Sequence, residues 1–281
     1  CDKFCTFCIV PFTRGRERSR TIDSVIDEVK NAVSQGFTEI TLLGQNVNSY
    51  KTPKGGFSEL LDSVSKVKGV NRIRYTSPHP QDMSDDVLEV MTKRSNICNY
   101  IHLPLQSGSD RILSRMNRTY SSQEFVSLVD KIRDYMPDCA ISTDIIVGFP
   151  GETEQDFKDT LSVVDKVRFN FSYMFKYSSR PGTKAAEYSD QVDEDIKQSR
   201  LERLIEKQKK ITLELNKSYI GKEFQVIVEK ESKKSKGQWS GRTEGNVWTV
   251  FDKMSFQPKD LVTLRIDDAQ GVTLFGTPIT S

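Results

Sequence analysis

Three cysteines open the sequence at intervals of three and then two residues: Cys1, Cys5 and Cys8. Three thiols within eight residues of loop can reach three corners of a cube-shaped 4Fe–4S cluster, whose fully protein-ligated form takes four cysteines. Cys98 and Cys139 lie far away, each beside a predicted strand, and read as small buried hydrophobes. One iron is therefore left open to chelate a small molecule. A structural zinc would need a fourth ligand, and neither His79 nor His102 has finger spacing. Five unevenly spread cysteines do not form a disulfide framework, so a reducing, cytoplasmic setting is expected. The whole chain has only two histidines, which suits chemistry carried by a cofactor rather than by imidazole acid–base groups.

The elements that would position this loop follow from the hydrophobic pattern. Thr21 is placed to cap a helix with Ile22, Val25, Ile26, Val29 and Val33 on one face, stopped by Gly36. A strand is expected over 38–43. Helices over 57–68, 84–93, 110–116, 122–135 and 154–167 then alternate with strands over 70–75, 100–105, 140–147 and 169–177. This alternation predicts parallel βα units with right-handed crossovers, about six counting the cysteine segment. The chain is too short for an eightfold barrel, so the expected fold is α/β, a partial (βα)6 barrel. Chemistry in such folds gathers at the C-terminal strand ends. There the sequence places Gln45–Asn46, Ser77–His79, Gln106–Ser109 and Gly148–Glu152.

From about 192 to 217 the pattern becomes one long charged helix, with Leu201, Leu204, Ile205, Gln208, Ile211 and Leu215 as its stripe. Beyond it the period changes to two, over 224–228, 247–251 and 261–266, with Gly221, Gly237, Gly241, Gly245 and Gly271 between. A small all-β barrel of about 65 residues fits this composition. The expected division is a core over 1–216 and a barrel over 217–281.

The net charge of +2 conceals an uneven distribution. Residues 197–242 carry 13 Lys and Arg against 6 Glu, a local excess of +7. Such a segment is either a solvated face or a polyanion-binding one. Lys230, Lys233, Lys234 and Lys236, with Trp239, Arg242 and Trp248, combine phosphate-tracking charge with aromatics that can stack on unpaired bases. Arg14, Arg16 and Arg18 lie close to the cysteines, where they could guide RNA or pair with acidic neighbours. The apolar runs are strand-sized and there is no secretory signal, so no membrane partner is expected.

The resemblance to a family is carried by many blocks. Phe7 precedes Cys8, and Cys8–Gly15, Leu43–Tyr50, Thr76–Pro80, His102–Asp110, Asp144–Thr153, Arg180–Thr183 and Gly241–Glu244 follow in order. Together they resemble the radical S-adenosylmethionine methylthiotransferases, with a small barrel similar to the TRAM module. Thr13–Arg20 and Gly241–Asn246 look most like the branch acting on C2 of N6-isopentenyladenosine beside the tRNA anticodon. The resemblance implies cosubstrate cleavage to a 5′-deoxyadenosyl radical, with Cys1, Cys5 and Cys8 as cluster ligands. It implies Phe7 against the cosubstrate adenine, and Gln45 and Asn46 at the methionine amino group. It also implies Gln106 and Ser107 at the ribose or methionine, and Asp144 with Gly148–Glu152 cradling the adenine. Gly148, Pro150 and Gly151 would equally suit a tight turn, with Thr153 capping the next helix.

The partners so implied are the tRNA anticodon stem-loop and an electron donor of flavodoxin or ferredoxin type, with the protein a monomer. The family also carries a second 4Fe–4S cluster on an N-terminal domain. Because the sequence begins on Cys1, that domain is expected to be missing. Two alternatives stay open: a sister enzyme methylthiolating a ribosomal-protein aspartate, and a non-catalytic iron–sulfur RNA-binding protein.

Overall fold

Four helices of the first domain begin on a Ser or Thr whose side chain caps them in the computed structural model, which describes residues 1–279. After a short α1 (Val10–Arg14), the Thr21 side chain accepts the Ser24 amide at the start of α2 (Ile22–Ser34). α3 (Phe57–Ser65) and α4 (Asp85–Lys93) follow, then α5 (Asp110–Arg115), where Ser109 accepts from Ile112. Ser121 with Glu124 and Thr153 with Asp156 form reciprocal capping boxes for α6 (Ser122–Tyr135) and α7 (Glu154–Val167). α3 ends before residue 68, because Lys66 and Val67 close it with tight i→i−3 bonds.

Between the helices run β1 (Glu39–Leu42), β2 (Arg72–Tyr75), β3 (Tyr100–His102), β4 (Ala140–Val147) and β5 (Phe171–Lys176). The pairings among these five are parallel, β1 with β2, β3 with β4 and β4 with β5, and a parallel bridge from Ile73 to Ile97 links the two sets; a short antiparallel hairpin, Lys51–Thr52 with Gly55–Gly56, stands apart. Strand order therefore follows chain order, as right-handed βα units require. The sixth unit has its cysteine loop but no strand among the described residues. Alternation then divides the sheet. Ile73, Ile101, Ile145 and Val147 are fully buried against helices, while Ser142, Asp144 and Ile146 share the other, concave face with Phe171, Tyr173 and Phe175, their register partners.

α8 (Glu194–Lys217) carries a buried stripe of Arg200, Leu204, Gln208, Ile211 and Thr212 and packs on β5. It leads into five strands, β6 (Glu223–Ser232), β7 (Ser235–Thr243), β8 (Trp248–Asp252), β9 (Leu261–Gln270) and β10 (Thr273–Pro278), which close into a barrel. The strands at β7 and β10 were not legible, because glycines and lysines blur the period of two. Gly241 sits inside β7 for a steric reason: a Cβ there would stand 1.9 Å from the Ile227 carbonyl oxygen. No helix among the described residues is long and apolar enough to cross a membrane.

The two domains are joined by buried charge. From β2, Arg72 donates to the carbonyls of Arg242 at 2.9 Å and Gln225 at 2.5 Å. Arg74 donates to those of Glu244 at 2.9 Å and Thr243 at 2.7 Å. Glu39 of β1 lies 3.3 Å from Arg74. The Gly241–Asn246 block thus packs beneath the partial barrel, at the end opposite the loops that follow the strands.

Candidate cluster and cosubstrate site

The cysteine loop lies across the C-terminal strand ends and is tied to them at several points. Thr6 bonds through its amide to the Met116 carbonyl at 3.0 Å and accepts the Ala185 amide at 2.9 Å. Lys3 reaches Asp82 at 2.9 Å, and Asn117 donates to the carbonyls of Lys3 and Phe4. The loop is thereby placed over the mouth while its thiols stay accessible. Cys1, Cys5 and Cys8 are free and partly exposed, whereas Cys98 and Cys139 are buried. Burial pushes the Cys98 thiol up to about 11 and the Cys139 thiol to about 12, so both stay protonated and inert.

Arg118 is the group that sequence reasoning missed. Its guanidinium donates to Cys5 Sγ at 3.4 Å and to the Pro104 carbonyl at 3.1 Å, and stacks 5.0 Å from the Tyr120 ring centroid. It links the loop to the end of β3 and sets a fixed positive charge beside the Cys5 sulfur. Its only sequence signal was a basic residue after a short helix. His79, by contrast, is buried with Nδ1 accepting the Gln81 amide, and burial drops its pKa to about 3. It is a neutral structural group.

Cys1 borders a cleft of about 670 Å3 that is lined by Arg14, Arg16, Arg18 and Gln45. Cys5 and Cys8 line a second hollow of about 340 Å3. Burial pushes the Cys8 thiol up. Among the described residues no three His, Cys, Asp or Glu side chains converge closely enough for a single ion. Thiolates of a cluster each bind a different iron and stand further apart than that. The residues fit a cluster with a chelated cosubstrate by donor chemistry: three free thiols on one loop, a guanidinium on one of them, and two orphaned acceptors nearby. Those acceptors are Asn46 Oδ1 and Gln106 Oε1, buried without a hydrogen-bond partner. Asn46 is oriented by its 2.6 Å bond to Asp82, which also holds Lys3 of the cysteine loop. Gln106 is held with a positive φ of 68° by backbone bonds to β4.

Other expected site residues are placed differently. Phe7 packs edge-on against Phe149 at 6.5 Å, so it does reach the turn after β4. Ser107 is fully buried and accepts the Ser109 amide, beside Thr160. It braces the turn and cannot touch a molecule at the mouth. Gly148 and Glu152 turn away from the mouth towards α8. The Gly148 amide donates to Glu152 at 2.6 Å, and Arg200 holds the same carboxylate at 2.8 Å. A Cβ on Gly148, whose φ is +69°, would collide with Lys197 at 2.2 Å. Burial raises the Glu152 pKa to about 7, against the pull of that amide and of Arg200. These two residues fasten the turn to α8 through Glu152 Oε2, while Glu152 Oε1 is buried without a partner. Asp144 does face the concave side, with its Oδ2 3.2 Å from His102 Nε2.

The basic face divides in the same way. Lys233, Lys234 and Lys236 are exposed at the tip between β6 and β7, and Lys230 lies 4.5 Å over the Trp248 ring. Trp239 is instead part of the small barrel's core, with Nε1 donating to the Phe256 carbonyl at 3.0 Å. It cannot stack on a base without leaving that core. Arg242 is bound by Glu229 at 2.7 Å and by Asn246 at 3.1 Å, so its charge is already neutralised. Arg14, Arg16 and Arg18 are exposed, Arg16 lying 3.5 Å from Asp2.

Comparison with known proteins agrees with this anatomy. The Radical SAM superfamily model matches residues 1–164, and the TRAM domain model matches 217–279. The tRNA-2-methylthio-N(6)-dimethylallyladenosine synthase of Christiangramia forsetii is 47% identical over 298 residues, covering 99% of this chain and 62% of that protein. Its namesakes from Acetivibrio thermocellus and Porphyromonas gingivalis (strain W83) are 48% and 49% identical over 280 and 281 residues. They cover 99% and 98% of this chain, and 58% and 61% of their own lengths. The chain thus spans about three fifths of the curated relatives it matches. Two solved structures share the fold. Coproporphyrinogen III oxidase (HemN) of Escherichia coli has a TM-score of 0.54 at 13% identity, over 87% of this chain and 64% of that one. The methyltransferase TsrM of Kitasatospora setae has 0.56 at 16%, over 66% and 37%. With its cysteine loop across the ends of parallel strands, the chain belongs to the radical SAM superfamily.

Proposed function

We propose that this chain is the radical-generating and RNA-holding part of a methylthiotransferase acting on C2 of N6-dimethylallyladenosine beside a tRNA anticodon. The observation that carries this reading is the identity of nearly one half, across almost the whole chain, to relatives named for that product. The aspartate-modifying and non-catalytic alternatives have no comparable support. When bound, a 4Fe–4S cluster with an open iron would supply the electron that cleaves S-adenosylmethionine and delivers a radical able to attack an unactivated C–H bond.

The chain's own residues have separable tasks. Cys1, Cys5 and Cys8 hold the cluster, and Arg118 offsets negative charge at Cys5. The buried amide oxygens of Asn46 and Gln106 accept from the amino or hydroxyl groups of the cosubstrate, and Phe7 lies along its adenine. Arg14, Arg16 and Arg18 at the cleft, with Lys230, Lys233, Lys234 and Lys236 at the β6–β7 tip, hold phosphates. The division between core and RNA-holding barrel falls at 216/217. We place the sulfur-delivering second cluster in the portion of the relatives' length outside this chain. A flavodoxin- or ferredoxin-type donor, a monomeric state and a cytoplasmic location complete the proposal.

Anaerobic reconstitution with iron and sulfide, followed by assays for 5′-deoxyadenosine and for methylthiolated RNA, tests it. The expected result is cosubstrate cleavage without methylthiolation. Cleavage that is absent despite a full cluster overturns the radical reading, and complete product from this chain alone overturns the division of labour.

A further inference from the structure

The concave face of β3–β5 carries two rows that no step above uses. The first is a directed hydrogen-bond chain. Tyr100 OH lies 2.6 Å from Ser142 Oγ, which lies 2.8 Å from His102 Nδ1, and His102 Nε2 lies 3.2 Å from Asp144 Oδ2. With Asp144 ionised, Nε2–H donates to it, Nδ1 accepts from Ser142, and Ser142 accepts from Tyr100. The chain fixes the Asp144 carboxylate in place and leaves its partly exposed group able to accept another donor. The second row is aromatic. Phe171, Tyr173 and Phe175 are 37%, 47% and 52% exposed along one face of β5, although apolar groups of this size are ordinarily buried. Phe171 and Tyr173 are packed edge to face at 4.9 Å, and Tyr173 meets His102 at 5.7 Å. Tyr173 is the register partner of Asp144, so an acceptor stands directly beside an aromatic wall.

The direction of the row adds a further constraint. Phe175 pairs in register with Ile146. Ile146 packs in the same apolar cluster as Phe149 and Phe7, the residue before Cys8. The aromatic row therefore runs up to the cysteine loop.

From this juxtaposition we infer that Tyr173, Phe175 and Asp144 form the specificity pocket for the substrate base, an adenine with an apolar group on N6. The inference rests on the proposed function and deepens it. The N6–H donates to the fixed Asp144 carboxylate, and the apolar N6 substituent and purine face lie on Tyr173 and Phe175. A planar base with one N–H donor and an adjoining hydrocarbon complements this surface. A charged or fully polar ligand would leave the aromatic row unmatched.

The test uses this chain and two anticodon stem-loop RNAs, identical except that one carries N6-dimethylallyladenosine and the other adenosine at the target position. Wild type is expected to bind the modified RNA at least about tenfold more tightly, as burial of several apolar carbons implies. Tyr173→Ala and Phe175→Ala should bring that ratio close to one. Phe175→Leu, a milder change that keeps apolar bulk, should retain part of it. Asp144→Asn should weaken both RNAs by a similar factor of about ten and keep the ratio, since both bases present an N6–H. Thermal melting confirms that each variant is folded. Folded Ala variants that keep the wild-type ratio overturn the pocket. So does a wild type that binds both RNAs equally, which would leave the RNA reading intact. If Tyr173→Ala instead weakens S-adenosylmethionine binding in equilibrium dialysis and leaves the ratio alone, the row belongs to the cosubstrate and the inference is wrong. A wild type that binds neither RNA overturns the RNA reading and the inference together.

Discussion

The loop carrying Cys1, Cys5 and Cys8 and the glycine-rich turn over 148–152 both sit at strand ends, and both carry reactive residue types. Their surroundings differ completely. In the loop the three thiols are partly exposed and face two hollows. In the turn most groups have been claimed by the protein: the Gly148 amide and Arg200 hold one oxygen of Glu152, which is 5% exposed, while its Oε1 is buried without a partner. Chemistry needs unused bonding capacity at the mouth, where the loop keeps it, while the turn has spent most of its own on docking α8. A strand-end position therefore identifies candidates, and hydrogen-bond satisfaction sorts them into site and scaffold.

The largest effect expected from this contrast lies in the loop. Replacing Cys1, Cys5 or Cys8 by Ala should abolish the reconstituted cluster, read as iron content and visible absorption, with little change in the apoprotein's melting. Replacing Cys98 or Cys139 should leave iron content unchanged. Iron retained in Cys5→Ala would remove the basis for separating loop from turn.

In the turn, the reverse is expected: a loss of stability without loss of a ligand. Above pH 7, where Glu152 is ionised, Arg200→Met leaves its carboxylate buried without its cation and should cost about 3–5 kcal/mol in denaturant unfolding. Trp239→Ala should cost a similar amount, about 3–5 kcal/mol, by opening a cavity in the small barrel. If Trp239→Ala is neutral for stability but weakens RNA binding, the placement of that ring in the core is wrong.

A smaller, pH-dependent effect sharpens the same point. Folding raises the Glu152 pKa from 4.5 to about 7. The folded protein then holds this proton more tightly than the unfolded chain does. Its contribution to stability is present below pH 4.5, is lost as pH rises towards 7 and is flat above. Glu152→Gln should flatten that part of the profile, whereas an unaltered slope would assign it to other groups.

The smallest effect concerns the exposed lysines. Changing Lys233, Lys234 and Lys236 together to Ala should leave melting unchanged. The dependence of log affinity for the stem-loop on log salt should become shallower by about 2, at roughly 0.7 per phosphate contact. An unchanged slope would place the RNA elsewhere on the surface.

Much of this was legible in the sequence because it is local. Thr21 and Thr153 cap the helices that follow them, and β4 and α6 have the bounds their periodicity implies. The cysteine spacing needed no tertiary context, since all three residues lie on one short loop. Misreadings arose where partners are distant in sequence. Ser107 answers to Thr160, Glu152 to Arg200, and Arg242 to Glu229. Nothing near any of these residues marks it as already paired. Arg118 was overlooked for the converse reason: its partner Cys5 lies 113 positions away.

The sequence by itself determined the order of βα units, the loop of three closely spaced cysteines and the change of period that announces a second, all-β domain, because these follow from short-range spacing and hydrophobic alternation. Only the tertiary structure decided which polar groups remain free. It turned Gly241–Asn246 into a joint read by Arg72 and Arg74, took Trp239 into a core, and left Tyr173 and Phe175 exposed beside Asp144. The physical reason is that bonding capacity is used up between residues far apart in the chain, and what is left over for function appears only once they have met.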